Sequence, residues 1–458
     1  MQPRPKRLIL GGKYFKICQF LIISTSLTFW KICQVKVFSL TSGEDKVFFT
    51  KWLNRFIVLF VCIFLLIGCS PLVVKPLPET PMEFEKAISM LTNHLLTQLK
   101  NHNVTDEKSV NLVYSPFIDT DSGQVLQVSL DIRNLFIRET NKNFTNFRIN
   151  KFTPSNLAQA NYVVDGIIRY ERQTRQKYFH VDAMIVDLKN QTKVAGEDVW
   201  IADRNLNIKP TPSSKDNPTY VKDNALDALM SAVRSPVGTK VSHIYSSFLE
   251  TKSMLVEAQT AYDNSEYTQA LRLFNAIERR PNGKVVSTYG GLYSIYFRLG
   301  KLKEAETSFG KMVAVGVESD SLPVKLVFES ASTKFLNNQE LLQQYDIWLK
   351  QVTMYLRNNR NKCAYVVGHT SKSYPPGKPD FNCKLSKNRA GAIQKRMGQI
   401  SRSIKSRLRV IGMGSRETII GTEPDDDHNA IDRRVEFKVV NCSSPEWRQP
   451  ARGCSLSR

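Results

Sequence analysis

Apolar residues change their spacing several times along the chain, and each change predicts a different element. Phe56–Ile67 is an uninterrupted apolar run of twelve, too short for the roughly 20 residues that span a bilayer as a helix. Pro71–Pro81 carries four prolines in eleven residues and reads as an extended, solvated spacer. Phe84, Ile88, Leu91, Leu95 and Leu99 then recur at helical spacing, predicting an amphipathic helix. Val110–Phe117 reads as a strand ending at Pro116, and Val125–Thr140 as a second helix. Strands follow at Tyr162–Tyr170, Tyr178–Leu188 and Val194–Ile201. In the second of these, Phe179, Val181, Ala183 and Ile185 alternate onto one face, and Asn190-Gln191 marks a turn. Residues 82–250 therefore predict an α/β domain with helices on a mostly antiparallel sheet. In 254–317, Ala258, Tyr262, Tyr267, Ala270 and Phe274 recur as Tyr293, Phe297, Leu302, Ala305 and Phe309, an offset of 35 throughout. Beyond that repeat come a strand (Val324–Phe328), a helix (Asn338–Leu356), a strand (Ala364–Gly368), a helix (Ser386–Ile400) and strands at Arg409–Ile411 and Arg434–Val440. The fold class is α+β, multidomain, with a C-terminal βαβαββ unit over 324–442 and a tail at 443–458.

Composition narrows the function. Hydrophobic content of 42% and charged content of 23% exclude disorder throughout. The net charge of +22 points to an anionic partner, and the leader narrows which one. Lys51 and Arg55 precede the apolar run, which closes in Leu66-Ile67-Gly68-Cys69. Residues 51–68 have the form of an export signal, and the closing tetrapeptide resembles the lipobox of bacterial lipoproteins. That resemblance implies cleavage before Cys69, acylation of its thiol, and anchoring in membrane lipid. Ser70 in the following position implies passage to the outer membrane. Residues 1–50, with their own apolar run Phe20–Phe29, fit a start codon called too early; a further membrane segment is the alternative. Removing 1–68 takes away ten Lys/Arg and two Asp/Glu, so 54 basic and 40 acidic residues remain and the balance falls to +14. Facing an extracytoplasmic space, such a chain is not expected to meet nucleic acid. Four cysteines follow Cys69: Cys363, Cys383, Cys442 and Cys454. An even number in an oxidising compartment predicts two disulfides, with three connectivities open. Cys363 opens a predicted strand and Cys442 closes another, so these two are candidates to pair as neighbours, leaving Cys383 for Cys454. Their spacing is unlike a zinc site.

Two resemblances concern the middle of the chain. The helix, Val-Asn-Leu-Val-Tyr-Ser-Pro-Phe-Ile-Asp-Thr-Asp-Ser-Gly at 110–123, a second helix, Ala-Asn-Tyr-Val-Val-Asp-Gly-Ile-Ile-Arg-Tyr-Glu at 160–171 and a hairpin are similar to periplasmic lipoprotein domains of the CsgG/FlgO/LpoB type. That likeness implies a protein-docking domain with no active site. The 35-residue repeat resembles the tetratricopeptide period, with Ala270 and Ala305 letting helices approach while Phe274 and Phe309 fill the gap. Ser308 and Lys311 match a Ser–Lys nucleophile spacing, but Phe309 between them belongs to the packing pattern, so the match is read as chance.

The sharpest signal is C-terminal. Gly368-His369-Thr370-Ser371 is followed by Asn382, Leu385, Ser386, Arg389, Ala390, Ile393 and Met397, then by Asp432-Arg433-Arg434-Val435-Glu436-Phe437. These resemble the OmpA-like peptidoglycan-binding domain. Leu385, Ile393 and Met397 are expected on the buried side of a helix capped by Ser386. The resemblance implies that Arg389 grips a carboxylate of the diaminopimelate residue in the wall's stem peptide, for which a planar guanidinium is suited. Thr370, Ser371, Asn382, Leu385 and Arg433 carry over as ligand or loop-ordering residues. His369 reads as a turn residue. The family's Asp after Thr370 is here Ser371, and Asp380 in the longer loop is the candidate to replace its charge. Lys384–Arg409 holds nine Lys/Arg and no Asp/Glu, a solvated face or an added attraction to wall carboxylates. Asp425-Asp426-Asp427 is read as a solvated loop rather than a cation site.

The sequence thus predicts a non-enzymatic outer-membrane lipoprotein without cofactor or metal. It would tether the membrane to peptidoglycan and dock an envelope protein yet to be identified. The alternative is an envelope assembly or regulatory factor that uses wall binding only for positioning.

Overall fold

The computed structural model describes residues 77–102, 109–173, 176–203, 205–220, 223–318, 322, 324–372, 380–419, 431–449 and 453–454. The leader, Cys69, the start of the spacer and Asp425–Asp427 lie outside these residues. Among the described residues, no helix is long and apolar enough to cross a membrane.

The first sheet has the order β3-β1-β4-β5-β6, with β2 beside β4. Its strands are β1 (Val110–Tyr114), β2 (Ile118–Asp119), β3 (Phe147–Lys151), β4 (Tyr162–Gln173), β5 (Gln176–Asp187) and β6 (Thr192–Ile201). The β4-β5-β6 meander is antiparallel as expected, but β1 runs parallel to both β3 and β4. The sheet is therefore mixed rather than mostly antiparallel. The strand missing from the sequence reading is β3. It lies at the edge, and only Phe147 of its five residues is buried, so it shows no apolar alternation. β1 stops at Tyr114, before Pro116, which has no N–H to donate; the chain pairs again with β4 as β2.

Helices cover both faces. α1 (Phe84–His102) and α2 (Gln127–Asn143) bury Ile88, Leu91, Leu95, Ile132 and Phe136 against one face. A short helix α3 (Pro154–Gln159) sits between β3 and β4, and α4 (Pro212–Asp216) follows the sheet. α5 (Asn224–Arg234) and α6 (His243–Asp263) pack Leu229, Val233, Tyr245 and Leu249 on the other face. There the fully buried Asp165 of β4 accepts from Lys252 Nζ at 2.7 and 3.0 Å and from Tyr245 Oη at 3.2 Å. A charge in that position is tolerated because it is paired and hydrogen-bonded.

α6, α7 (Tyr267–Glu278), α8 (Val286–Arg298) and α9 (Leu302–Glu318) form two helical hairpins. Ala270, Phe274, Ala305 and Phe309 are all buried, the packing that the 35-residue offset predicts. A Cβ on Gly291 would lie 2.3 Å from the Phe274 ring, so α8 approaches α7 closely there. α10 (Gln339–Asn358) closes the far end: its Trp348 ring stacks on Phe309 at 5.8 Å and meets Tyr293 edge-on at 6.1 Å. One apolar core includes Leu255, Phe274, Phe309, Trp348, Val366, Ile393 and Phe437.

The second sheet has the order β7-β10-β8-β9, from β7 (Leu326–Val327), β8 (Lys362–His369), β9 (Leu408–Gly414) and β10 (Arg434–Asn441). β8 and β9 are parallel; β10 is antiparallel to β8 and β7. α11 (Phe381–Ile400) packs across β8 and β9, and α12 (Pro445–Arg448) sets Trp447 against Tyr365 at 5.0 Å. Disulfides join Cys363 to Cys442 and Cys383 to Cys454, the pairing that the strand ends favoured. The second pins the C-terminal segment beside β9, where Cys454 N donates to Gly412 O at 2.8 Å.

Candidate functional site

The motif residues meet where β8 ends and α11 begins. α11 can lie on the sheet there because Gly368 and Gly412, paired across β8 and β9, leave room. A Cβ on Gly368 would come within 1.9 Å of Ser386 O, and one on Gly412 within 2.7 Å of Lys387 N.

α11 starts at Phe381, five residues before the expected cap. Ser386 is therefore not a cap but a buried residue of the second turn. Its hydroxyl donates to Cys383 O at 2.9 Å and accepts from Gly414 N at 2.9 Å, pinning the helix to the end of β9. Ile393 and Met397 are buried as expected, whereas Leu385 is only half-buried, because it points off the helix–sheet seam.

Arg389 has the most constrained side chain of the site. It is fully buried. Its Nε donates to Ser332 O at 2.9 Å, Nη1 to His369 O at 3.1 Å and Nη2 to Glu329 O at 2.9 Å. The Phe328 ring lies 5.3 Å from its guanidinium carbon. The fork thus reaches the Gly-His-Thr turn from the third turn of α11. It also holds the loop after β7, where Ala331 takes the left-handed conformation at φ 50°. Sequence reasoning missed this loop. Glu329-Ser330-Ala331-Ser332 reads as a polar turn, and nothing in that pattern says its carbonyls face an arginine 57–60 positions away.

The remaining residues order the same corner. Asn382 Nδ2 donates to Ser371 O at 3.2 Å and Lys372 O at 3.4 Å. Arg433 Nε donates to Phe328 O at 3.3 Å, while Phe328 N donates to Arg433 O. Thr370 N donates to Gly414 O at 2.9 Å. Thr370 Oγ1 is buried and, among the described residues, meets no hydrogen-bond partner. A buried hydroxyl left in that state costs free energy unless something from outside completes it. Buried His369 lies between two carboxylates, 3.8 Å from Glu417 and 3.7 Å from Glu436. Asp380 precedes α11, and its side chain does not cap the helix.

A second cluster of polar groups stands on the first sheet. Ligand atoms of His180, Asp182 and Asp198 lie within 4.8 Å of one another. Arg169 Nη2 points at His180 Nδ1 from 2.5 Å. A guanidinium only donates, so Nδ1 accepts and the ring proton sits on Nε2, 2.7 Å from Asp198 Oδ2. Arg169 also donates to Asp182 Oδ2 at 3.0 and 2.9 Å, so these groups are joined in a hydrogen-bond network.

Residues 335–432 match the OmpA family, so the C-terminal part of the chain carries a domain of that family. Among solved structures, the chain is similar to the peptidoglycan-associated lipoprotein from Burkholderia pseudomallei, at 18% identity over 25% of this chain and 89% of that one, with a TM-score of 0.21. The periplasmic domain of Helicobacter pylori MotB (residues 90–256) matches at 21% identity, over 27% of this chain and 73% of that one, TM-score 0.21. The cell wall anchor of the T6SS from Pseudomonas aeruginosa matches at 23%, over 26% and 78%, TM-score 0.20. No curated protein matches the chain.

Proposed function

We propose that the protein is a non-enzymatic envelope lipoprotein that binds peptidoglycan through its C-terminal domain and docks a partner protein through the rest. The observation that carries this reading is the OmpA-family match over 335–432, together with the convergence of Thr370, Ser371, Asn382, Arg389 and Arg433 at one corner of that domain. The unsatisfied Thr370 hydroxyl there suits a ligand's polar group. In this reading a stem-peptide carboxylate reaches Arg389 by displacing carbonyls of the 329–332 loop, and Asp380 supplies the charge that Ser371 lacks. Acylation of Cys69 holds the other end in the outer membrane; a diacylglyceryl group with a further acyl chain anchors securely where one chain would not. The N-terminal part serves as a CsgG/FlgO/LpoB-like docking domain, followed by tetratricopeptide-like hairpins. Tethering one end to the membrane raises the effective concentration of the wall-binding end.

Co-sedimentation with isolated sacculi tests the central claim. Arg389→Ala is expected to abolish binding, Asp380→Ala to weaken it, and Ser371→Asp to leave it equal or tighter. A hydrogen bond to a charged group contributes about 1.5–3 kcal/mol, so the Asp380 effect should be roughly tenfold to a hundredfold. Because Arg389 also holds three carbonyls, its variant is scored only at temperatures where circular dichroism shows it folded. Wild-type protein that stays in the supernatant would overturn wall binding and favour the assembly-factor reading.

A further inference from the structure

The end of the C-terminal domain remote from the site carries a cluster of cations assembled from two separate segments. α11 runs for 20 residues, so its C-terminus lies about 30 Å from its N-terminal end and about 16 Å along the axis from Arg389. Around that far end stand Arg357 in the last turn of α10, Arg360 in the turn leading to β8, Lys362 at the start of β8, and Arg402, Lys405 and Arg407 in the short 3-10 turn Arg402–Arg407 after α11. The two segments are joined directly. Arg407 Nη1 donates to Asn359 O at 3.1 Å and to Lys362 O at 2.7 Å. Burial, then the neighbouring positive charge of Arg360, pull the Arg407 pKa down. The Lys405 stem lies on Gly398.

Neither 357–363 nor 399–409 contains an Asp or Glu. Arg357, Arg360, Arg402 and Lys405 are exposed. Beside them Ile400 is 42% exposed, one of few large apolar side chains so exposed among the described residues. Cations near helix C-termini complement the helix dipole, which accounts for Arg357. It does not account for charges beyond the helices, nor for an open isoleucine among them.

We infer that this end of the domain docks on an anionic phospholipid surface, with the cations facing headgroup phosphates and Ile400 entering the interface. Charge complementarity favours lipid over protein: a membrane offers many phosphates over a broad plane, and an interfacial contact combines basic and apolar residues in this way. The placement gives the contact a role that rests on the wall-binding reading. A domain that grips the wall at the start of α11 turns its basic end away from the wall. The domain would then bridge wall and bilayer by itself, in addition to any acyl anchor.

Hydrogen exchange of the full chain tests this site by site, so that an acyl chain or apolar leader cannot mimic the result. Vesicles of phosphatidylcholine alone are compared with vesicles that also contain phosphatidylglycerol. Protection of 400–409 is expected only with phosphatidylglycerol, and should disappear at high salt. R402Q with K405Q removes two surface cations, each of which contributes about 1 kcal/mol, so the phosphatidylglycerol-dependent binding should weaken roughly thirtyfold. These exposed positions leave the fold intact, which an unchanged melting temperature verifies. Equal protection on both vesicles, or full protection in the double variant, would overturn the inference. So would protection of 400–409 by sacculi instead of vesicles. Because no wall is present in the vesicle experiment, its outcome is independent of whether the protein sediments with sacculi.

Discussion

Single side chains at two positions combine structural and chemical roles. Arg389 stood out in its motif, but nothing in the sequence marked it as the clamp that fastens the 329–332 loop to the end of β8. Lys325 was not singled out by the sequence at all. It sits just before β7, where Nζ donates to Ser214 O at 2.8 Å and faces the Tyr220 ring at 5.0 Å. Burial lowers its pKa to about 7, against the opposing pull of Asp216. Between that value and the ordinary lysine pKa of about 10.4, the unfolded chain holds a proton that the folded chain releases. Stability from this group should therefore rise with pH from about 7 to about 10, and be flat below. Urea unfolding as a function of pH should show a rise that Lys325→Met removes, with the variant at least as stable as wild type at pH 7. An identical slope in the two proteins would refute the assignment.

Elements depend on how closely α11 lies on its sheet. Gly368 faces a backbone carbonyl that cannot move aside, whereas Gly391 in the middle of the same helix has nothing within 4 Å of a Cβ position. The two glycines should respond to alanine with opposite signs. Gly368→Ala should destabilise by about 1–3 kcal/mol through overpacking. Gly391→Ala should stabilise by up to about 1 kcal/mol, because alanine restricts the unfolded chain and favours the helix. Thermal unfolding of both variants decides this; a neutral Gly368→Ala would mean that α11 is free to shift. The same close approach explains why Gly368 and Gly412 stand opposite each other in the strand register, a pairing invisible along the sequence.

At the scale of the molecule, one core passes from the helical hairpins into the C-terminal sheet. Trp348 stands at the crossing, touching Tyr293 and Phe309 on one side and Tyr345 on the other. A two-hairpin array cannot cover its own ends, and α10 supplies the missing cover. Trp348→Ala should cost about 3–5 kcal/mol. The loss should appear both in α8 and α9 and in β8, measured as faster hydrogen exchange in all three. Loss confined to β8 would show that the hairpins stand without α10.

The sequence by itself determined the elements whose residues report locally. Helices with periodic apolar stripes, the β4-β5-β6 meander with its alternation and turn, and the spacing of the α11 motif are all set by neighbours a few positions apart. Burial and pairing along one element are enough to write those patterns. The edge strand β3 escaped because only one of its residues is buried, and an edge has a single partner to satisfy. The true start of α11 escaped because the helix begins before its motif. What only the tertiary structure decided are contacts between distant segments: the parallel neighbours of β1, the carbonyls gathered by Arg389, the helix that closes the hairpins, and the meeting of Arg357, Arg360 and Arg402, Lys405 at one end. Their positions in space follow from how sheets and helices stack, and stacking leaves no periodic trace in either segment alone.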